Sequence, residues 1–344
     1  MIISFGIGSP ASKSPGYSVR LPFHMPPSRK LKLADGKSFE LFDHPCEITE
    51  EHHFYVLTVG GFLSEHEAEV FLRRVCAGLI WFGLKNSVGF RFNSVAAPVE
   101  QFDRPHPIVE GSSLASMAAN NCWEGEYDGH YDDDKTIIRA DHKRLVKFGA
   151  GSVSIRIDSP VSMFAKDMLE GMGGRAELVL SDPKLRLACE VYFSSHFESS
   201  SVATFLSRIM TLEILIPDTP ASAQIRDMVD RFKAEITVAR QREKSDSDKS
   251  EWDSLNGLLS WARFRSIKSR IRALVEEKLR GEYAIADLAE VSKEISRLYD
   301  LRSALVHKGE GDPNIIREGA NRLNDIVPRV LKACFRESAG IGTA

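Results

Sequence analysis

The sequence predicts an α+β domain followed by an all-helical bundle. Two observations carry this expectation. Apolar residues in the first half follow mixed periods, with alternation in some segments and three- and four-residue spacing in others, whereas after about Leu180 only helical spacing remains. At 344 residues the chain also has room for about two domains, each with its own core. The expected division is 1–180 for the α+β domain, 181–337 for the bundle, and a frayed tail over 338–344.

In chain order, the Gly-, Pro- and Ser-rich opening to about Pro27 reads as irregular or edge strand. His53–Val59 is β-branched and aromatic enough for a strand, with His52 and His53 as polar residues at its entry. Ser64 and Glu67 then form a capping box. Ala68, Leu72, Val75, Leu79 and Phe82 recur at helical spacing until Gly83 can stop the helix. Val88–Phe92, Thr136–Arg139 and Ser152–Asp158 read as further strands, Tyr127-Asp128-Gly129 as a turn, and Ser162–Leu169 as a helix. Gly171-Met172-Gly173-Gly174 reads as a flexible connector and lacks the Lys-Ser/Thr of a phosphate loop.

Asp182-Pro183 opens the second half with a capping residue and a proline in the first turn. Val202, Phe205, Ile209, Leu212 and Ile216 form one apolar stripe, which Pro217 ends; Ile225, Val229, Phe232, Ile236 and Ala239 form the next. Gln241–Asp253 reads as a polar loop. Stripes follow at Ile267, Ile271, Leu274 and Leu279, and at Leu288, Val291, Ile295 and Leu298. Asp312-Pro313 opens a last helix, which Pro328 should kink because it has no N–H for Asn324. Short connections between helices make this a bundle.

The composition, 43% hydrophobic and 27% charged, is that of a soluble globular chain. There is no apolar run of membrane length and no secretory leader pattern at the N-terminus. The five cysteines are scattered without a Cys-x-x-Cys pair, so a reducing, cytoplasmic setting is expected, with no zinc site and no cofactor. His130 with Asp132, Asp133 and Asp134 could suggest a metal cluster, but consecutive acids point different ways, and no metal is expected there. A net charge of −3 gives no global basic field. Locally, Arg263, Arg265, Lys268, Arg270 and Arg272 lie in a stretch without acids. That stretch reads either as a track for RNA phosphates or as a solvated face whose acidic partners sit on a neighbouring helix.

The residues with the most chemistry lie near the C-terminus, in Leu298-Tyr299-Asp300-Leu301-Arg302-Ser303-Ala304-Leu305-Val306-His307. Arg302 follows Leu298 by four residues and Ile295 by seven, so it falls on the buried face of its helix and needs an anion. Glu213, at the edge of the Ile209–Ile216 stripe, is the candidate. The two form either a buried ion pair that fixes packing or a carboxylate that orients an arginine toward a phosphate. Lys308-Gly309 offers a helix stop just after His307. A histidine at a helix C-terminus is favoured in its protonated form, suited either to capping carbonyls or to donating a proton.

Arg302 and His307, together with Leu187-Ala188-Cys189-Glu190-Val191-Tyr192, Phe205-Leu206 and Thr211-Leu212-Glu213-Ile214-Leu215 upstream, resemble the Apea-like branch of the HEPN superfamily over about Ser181 to Phe335. That family carries Arg-x4–6-His late in a helical bundle. The resemblance implies a metal-independent endoribonuclease in which two protomers face each other and pool their Arg-His pairs, acting as a toxin or antiviral-defence effector. It makes Arg302 and His307 catalytic, Glu213, Ser303 and Lys308 supporting, and RNA and a second copy the partners; residues 1–180, which it does not cover, are read as a sensor or regulator that recognises a ligand or protein. Ser303 replaces the Asn, Asp or His frequent after the arginine, though serine is familiar in the Apea-like branch, and Lys308 intervenes before the glycine. The alternative is a non-catalytic HEPN module that binds RNA or dimerises.

Overall fold

The computed structural model describes residues 16–26, 29–33, 37–51, 54–92, 127–130, 137–140, 144–146, 157–243 and 245–341. An α+β region comes first, and every regular element after residue 160 in the described chain is a helix. The compact units divide differently from the expected boundary at 180: one joins the chain up to Thr211 with Arg317 onward, and the other is Leu212–Ile316.

In the first unit, β1 (Tyr17–Phe23), β3 (Ser38–Leu41), β4 (His44–Glu51), β5 (Phe54–Phe62) and β7 (Ile137–Ala140) form an antiparallel sheet in the order β3-β4-β5-β1-β7. The described part of the opening segment, β1, is therefore an interior strand and not an edge. Val19, Leu21 and Phe23 alternate onto the core face at 0% exposure, a period that the glycines and prolines around them obscure. Phe42 and Asp43, both at positive φ, make the two-residue turn between β3 and β4. Two parallel pairs stand apart from the sheet: β2 (Arg29–Lys32) with β9 (Ile157–Pro160), and β6 (Tyr127–His130) with β8 (Arg144–Val146). The turn expected at Tyr127-Asp128-Gly129 is thus strand β6. The strand expected at Val88–Phe92 reduces to a single bridge between Arg91 and His24. Residues 52–53, 131–136 and 151–156 lie outside the described ones, and with them His52, His53, the three aspartates and most of the strand expected at Ser152–Asp158.

Helix α1 (Glu65–Asn86) starts as expected, with Ser64 Oγ accepting from Glu67 N–H at 3.1 Å while Glu67 reaches back to Leu63 N–H at 2.8 Å. It does not stop at Gly83. Ser87 ends it in the left-handed region, and Gly83 serves close packing instead, since a Cβ there would lie 2.9 Å from the Phe193 ring. Helix α2 (Val161–Gly171) lies against α1, where buried Asp167 binds Lys85 Nζ at 2.7 Å and Asn86 Nδ2 at 2.8 Å. Phe164 of α2 packs on Phe82 and Phe23, joining helices and sheet in one aromatic core.

Helices α3 (Pro183–Ser194), α4 (Ser201–Leu215) and α9 (Pro313–Ala339) belong largely to this same core, which is why the boundary at 180 fails. Trp81 of α1 meets Phe335 of α9 with centroids 5.2 Å apart, and Phe193 of α3 meets Phe90. The tail expected to fray from 338 is docked through 341: Ala339 is fully buried and its carbonyl accepts from Arg175 N–H at 2.8 Å. A helix that runs unbroken through Pro328 brings it there.

The second unit holds the end of α4, α5 (Ala223–Arg242), α6 (Asp246–Ala262), α7 (Ile267–Leu279), α8 (Ile285–Lys308) and the start of α9. Most of the expected loop over Gln241–Asp253 is helical. Ser245 caps α6 by accepting from Asp248 N–H, and Asp246 and Asp248 in the first turn favour the helix dipole. α6 packs on α5 through Lys233–Ser260 at 2.9 Å, Arg240–Asp253 at 2.6 Å and Arg263–Asp230 at 3.0 Å. α7 is tied to α8 by Lys268–Asp300 at 2.6 Å and by a hydrogen bond from Ser292 to Glu276.

Candidate functional site

Glu213 stands in the last turn of α4 and Arg302 in the C-terminal half of α8, and the second unit brings them together as the sequence leads one to expect. Arg302 Nη2 donates to Glu213 Oε2 at 3.2 Å. Arg302 Nε lies 3.0 Å from Oε1, off the line of a hydrogen bond. The side chains are 25% and 18% exposed, so the pair is partly desolvated but reachable. Burial pushes the Glu213 carboxyl up, and the charge and hydrogen bond of Arg302 pull it partway back. Tyr299, one turn before Arg302, presents its ring 5.9 Å from the guanidinium carbon; its phenol is raised by burial first and by Glu213 second. The engaged edge of the guanidinium is Nε and Nη2, which leaves Nη1 for another acceptor.

His307 is exposed in the last turn of α8, and Gly309 at φ 69° ends the helix where the sequence suggests. The helix does not end between Arg302 and His307. Both lie on the same helix, about 140° apart around it at roughly 100° per residue, and do not share a face within one chain. Ser303 is half-buried beside Arg302, and Lys308 is exposed beside His307.

The basic stretch is largely spoken for. Arg270 is 6% exposed and donates to the Pro217 carbonyl and to Asp218, both at 3.1 Å, holding the turn after α4. Arg263 pairs with Asp230, Lys268 with Asp300 and Arg272 with Glu276. Arg265 is exposed and has no ionic partner among the described residues. The geometry matches a solvated face with acidic neighbours better than a continuous phosphate track. Among the described residues no three His, Cys, Asp or Glu come together as metal ligands, and no helix is long and apolar enough to cross a membrane.

One polar centre was missed from the sequence. In the first unit, Arg208 is 8% exposed; its Nε donates to Ser195 Oγ at 3.2 Å and its Nη1 to the Ala320 carbonyl at 2.7 Å. Its signal is the one that found Arg302: it falls three residues after Phe205 and four before Leu212, on the apolar stripe of α4. Beside it, burial drives the His196 imidazole down to about 3, with Arg208 and Arg29 adding to the effect, and its Nε2 is buried without a partner. Tyr192, edge-on to that ring, is raised to about 12 by burial. Every donor of Arg208 that is engaged goes to backbone or hydroxyl oxygen within the core, which makes this a packing device. Comparison of the chain with protein families, with curated proteins and with solved structures finds no match.

Proposed function

We propose that the chain is a HEPN-type protein of the Apea-like branch that cleaves RNA at a site assembled from two copies. The observation that supports this reading is the arrangement at Arg302: Glu213 holds one edge of the guanidinium while another N–H remains for a phosphate oxygen, in a pair still a quarter open to solvent. His307 sits exposed at the adjoining helix end, on another face of the same helix. Arg302 and His307 of one chain therefore cannot grip one phosphate, and the reading requires the second copy that the resemblance implies. In the reaction, one His307 takes the proton of a 2′-hydroxyl and that oxygen attacks the adjacent phosphorus. The 5′-oxygen leaves with a proton from the other His307, and the guanidinium of Arg302 stabilises the charge on the phosphorane. The products are a 2′,3′-cyclic phosphate and a 5′-hydroxyl. An effector role in a toxin or antiviral system follows from the resemblance alone, and this reading gives residues 1–180, which the resemblance does not cover, a sensing or regulatory role.

A second reading, a non-catalytic module that dimerises or binds RNA, is favoured by the same ion pair, which neutralises Arg302. Incubating the purified protein with total RNA, with and without EDTA, separates the two. Metal-independent cleavage leaving cyclic phosphate ends supports the enzyme, and intact RNA under all conditions supports the module.

A further inference from the structure

The five-stranded sheet of the first unit turns one face to the aromatic core, and its other face carries a groove of about 560 Å³. The pairing registers place the walls of this groove. Thr58 on β5 stands opposite Glu47 on β4, and Glu47 stands opposite Ser38 on β3; Glu40 follows Ser38 by two residues and shares its face. Ser18 reaches the same face from β1, where Val19 turns into the core and the register with β5 shifts opposite Gly60 and Gly61. The groove therefore crosses four strands, from Glu40 at one end to Ser18 at the other. Three strand spacings make that span about 14 Å.

Two observations give the groove a ligand and a charge. The carboxylates of Glu40 and Glu47 are exposed on it and make no ion pair or hydrogen bond among the described residues. No basic side chain lines it among those residues, and Arg20, which follows Ser18 on this face, is turned to Glu51 at 3.0 Å. At the other end Ser18 is 4% exposed, and its Oγ is buried without a partner. An orphaned buried hydroxyl is costly, so one on the wall of a polar groove marks a place for a group brought by a ligand. The spacing narrows the choice. Glu40 and Glu47 are diagonal neighbours, about 7–8 Å apart, and Ser18 lies two strand spacings, about 10 Å, beyond Glu47. A magnesium ion, which holds its ligands at about 2.1 Å, does not span such a row. An aliphatic chain with an amino group after every three or four methylenes does, since its nitrogens lie about 5–6 Å apart. A peptide added to the sheet would run along the strands, and this groove runs across them.

We infer that this groove binds an aliphatic polyamine. Two of its ammonium groups pair with Glu40 and Glu47, a third amine donates to Ser18 Oγ, and the methylene chain lies over Gly60, which presents no side chain to it. The inference gives the sensing or regulatory role of residues 1–180 a ligand of stated chemistry. It goes beyond the ribonuclease reading without depending on it, because its test reads binding and not RNA cleavage.

Isothermal titration calorimetry of the full chain with spermidine tests it. The expected dissociation constant is roughly 0.1–1 mM, the strength of a few charge-assisted contacts at a half-open site. Glu40→Gln and Glu47→Gln should each weaken binding by roughly tenfold, and Ser18→Ala by roughly threefold. The two glutamine variants should keep the circular dichroism and melting of wild type, because both side chains are exposed. 1-Aminobutane and MgCl2 should bind at least roughly tenfold more weakly than spermidine, and so should trilysine, which has the same net charge. A wild type that gives no binding heat with spermidine overturns the inference. So does binding that the combined Glu40→Gln and Glu47→Gln variant retains, which would put the amine on general surface charge. Binding of 1-aminobutane, MgCl2 or trilysine as tight as that of spermidine overturns it as well, since the groove would then take any cation or a basic peptide.

Discussion

Arg302 and His307 stand on one unbroken helix, five residues and about 140° apart, with the arginine turned to Glu213 and the histidine to solvent. The two side chains therefore respond differently to removal. His307 makes no packing contribution that its exposed position could supply, so His307→Ala should abolish RNA cleavage and leave the melting temperature unchanged. A gel of cleavage products and a thermal melt on the same preparation check both halves. Undiminished cleavage by this variant removes the proton-transfer role.

Removing Arg302 has a structural consequence as well. Arg302→Ala leaves the Glu213 carboxylate partly buried without its partner, which should cost about 1–3 kcal/mol in addition to any loss of cleavage. Arg302→Lys keeps the charge but cannot engage both Glu213 oxygens along one edge while offering a further N–H. It should recover much of the stability and little of the activity. Equal recovery of both, in denaturant titration and cleavage rate, would mean that the fork geometry is irrelevant.

How much of this was legible in sequence depends on the range of the signal. The Ser64 cap, the Gly309 stop and the meeting of Arg302 with Glu213 follow from local rules of capping and from helical spacing, and the structure has them. The boundary at 180 followed from a change of period, but a period reports element type and not which core an element joins. Trp81 on Phe335 and Phe193 on Phe90 are long-range packing that no local pattern announces. Polar composition over Gln241–Asp253 suggested a loop. It describes a helix whose charges are solvated, with Asp253 paired to Arg240 and Asp246 to Lys249. Arg208 was readable by the rule applied to Arg302.

Where α1 crosses α2, the backbone approach is close enough to be tested by one methyl group. A Cβ at Gly171 would fall 2.2 Å from the Cβ of Trp81 and 3.1 Å from the Cα of Gly78. Gly171→Ala must push the helices apart in the core that also seats Phe335. The expected cost is about 1–3 kcal/mol, read as a lowered denaturation midpoint with an unchanged slope. Wild-type stability in this variant would show that the crossing is looser than the structure has it.

His196 gives the fold a pH dependence whose sign can be worked out. Burial, together with Arg208 and Arg29, holds its imidazole at about 3 in the folded chain, against an ordinary value near 6.5 in the unfolded one. Between these values the unfolded state binds a proton that the folded state refuses. Stability therefore falls as pH drops through that window, with a slope approaching about 1.4 kcal/mol per pH unit from this group, and is fully present above it. The charges around the ring reinforce the direction, since Arg208 is fixed beside it by Ser195 and the Ala320 carbonyl and cannot move away without breaking both bonds. His196→Gln removes the titration. Denaturant titrations from pH 7 to pH 4 should show wild type losing stability more steeply than this variant, even though the variant is less stable at pH 7 through imperfect packing against Tyr192. Parallel curves for the two proteins would mean that His196 takes up its proton in the folded state at an ordinary pH, and that the ring is not sealed from water.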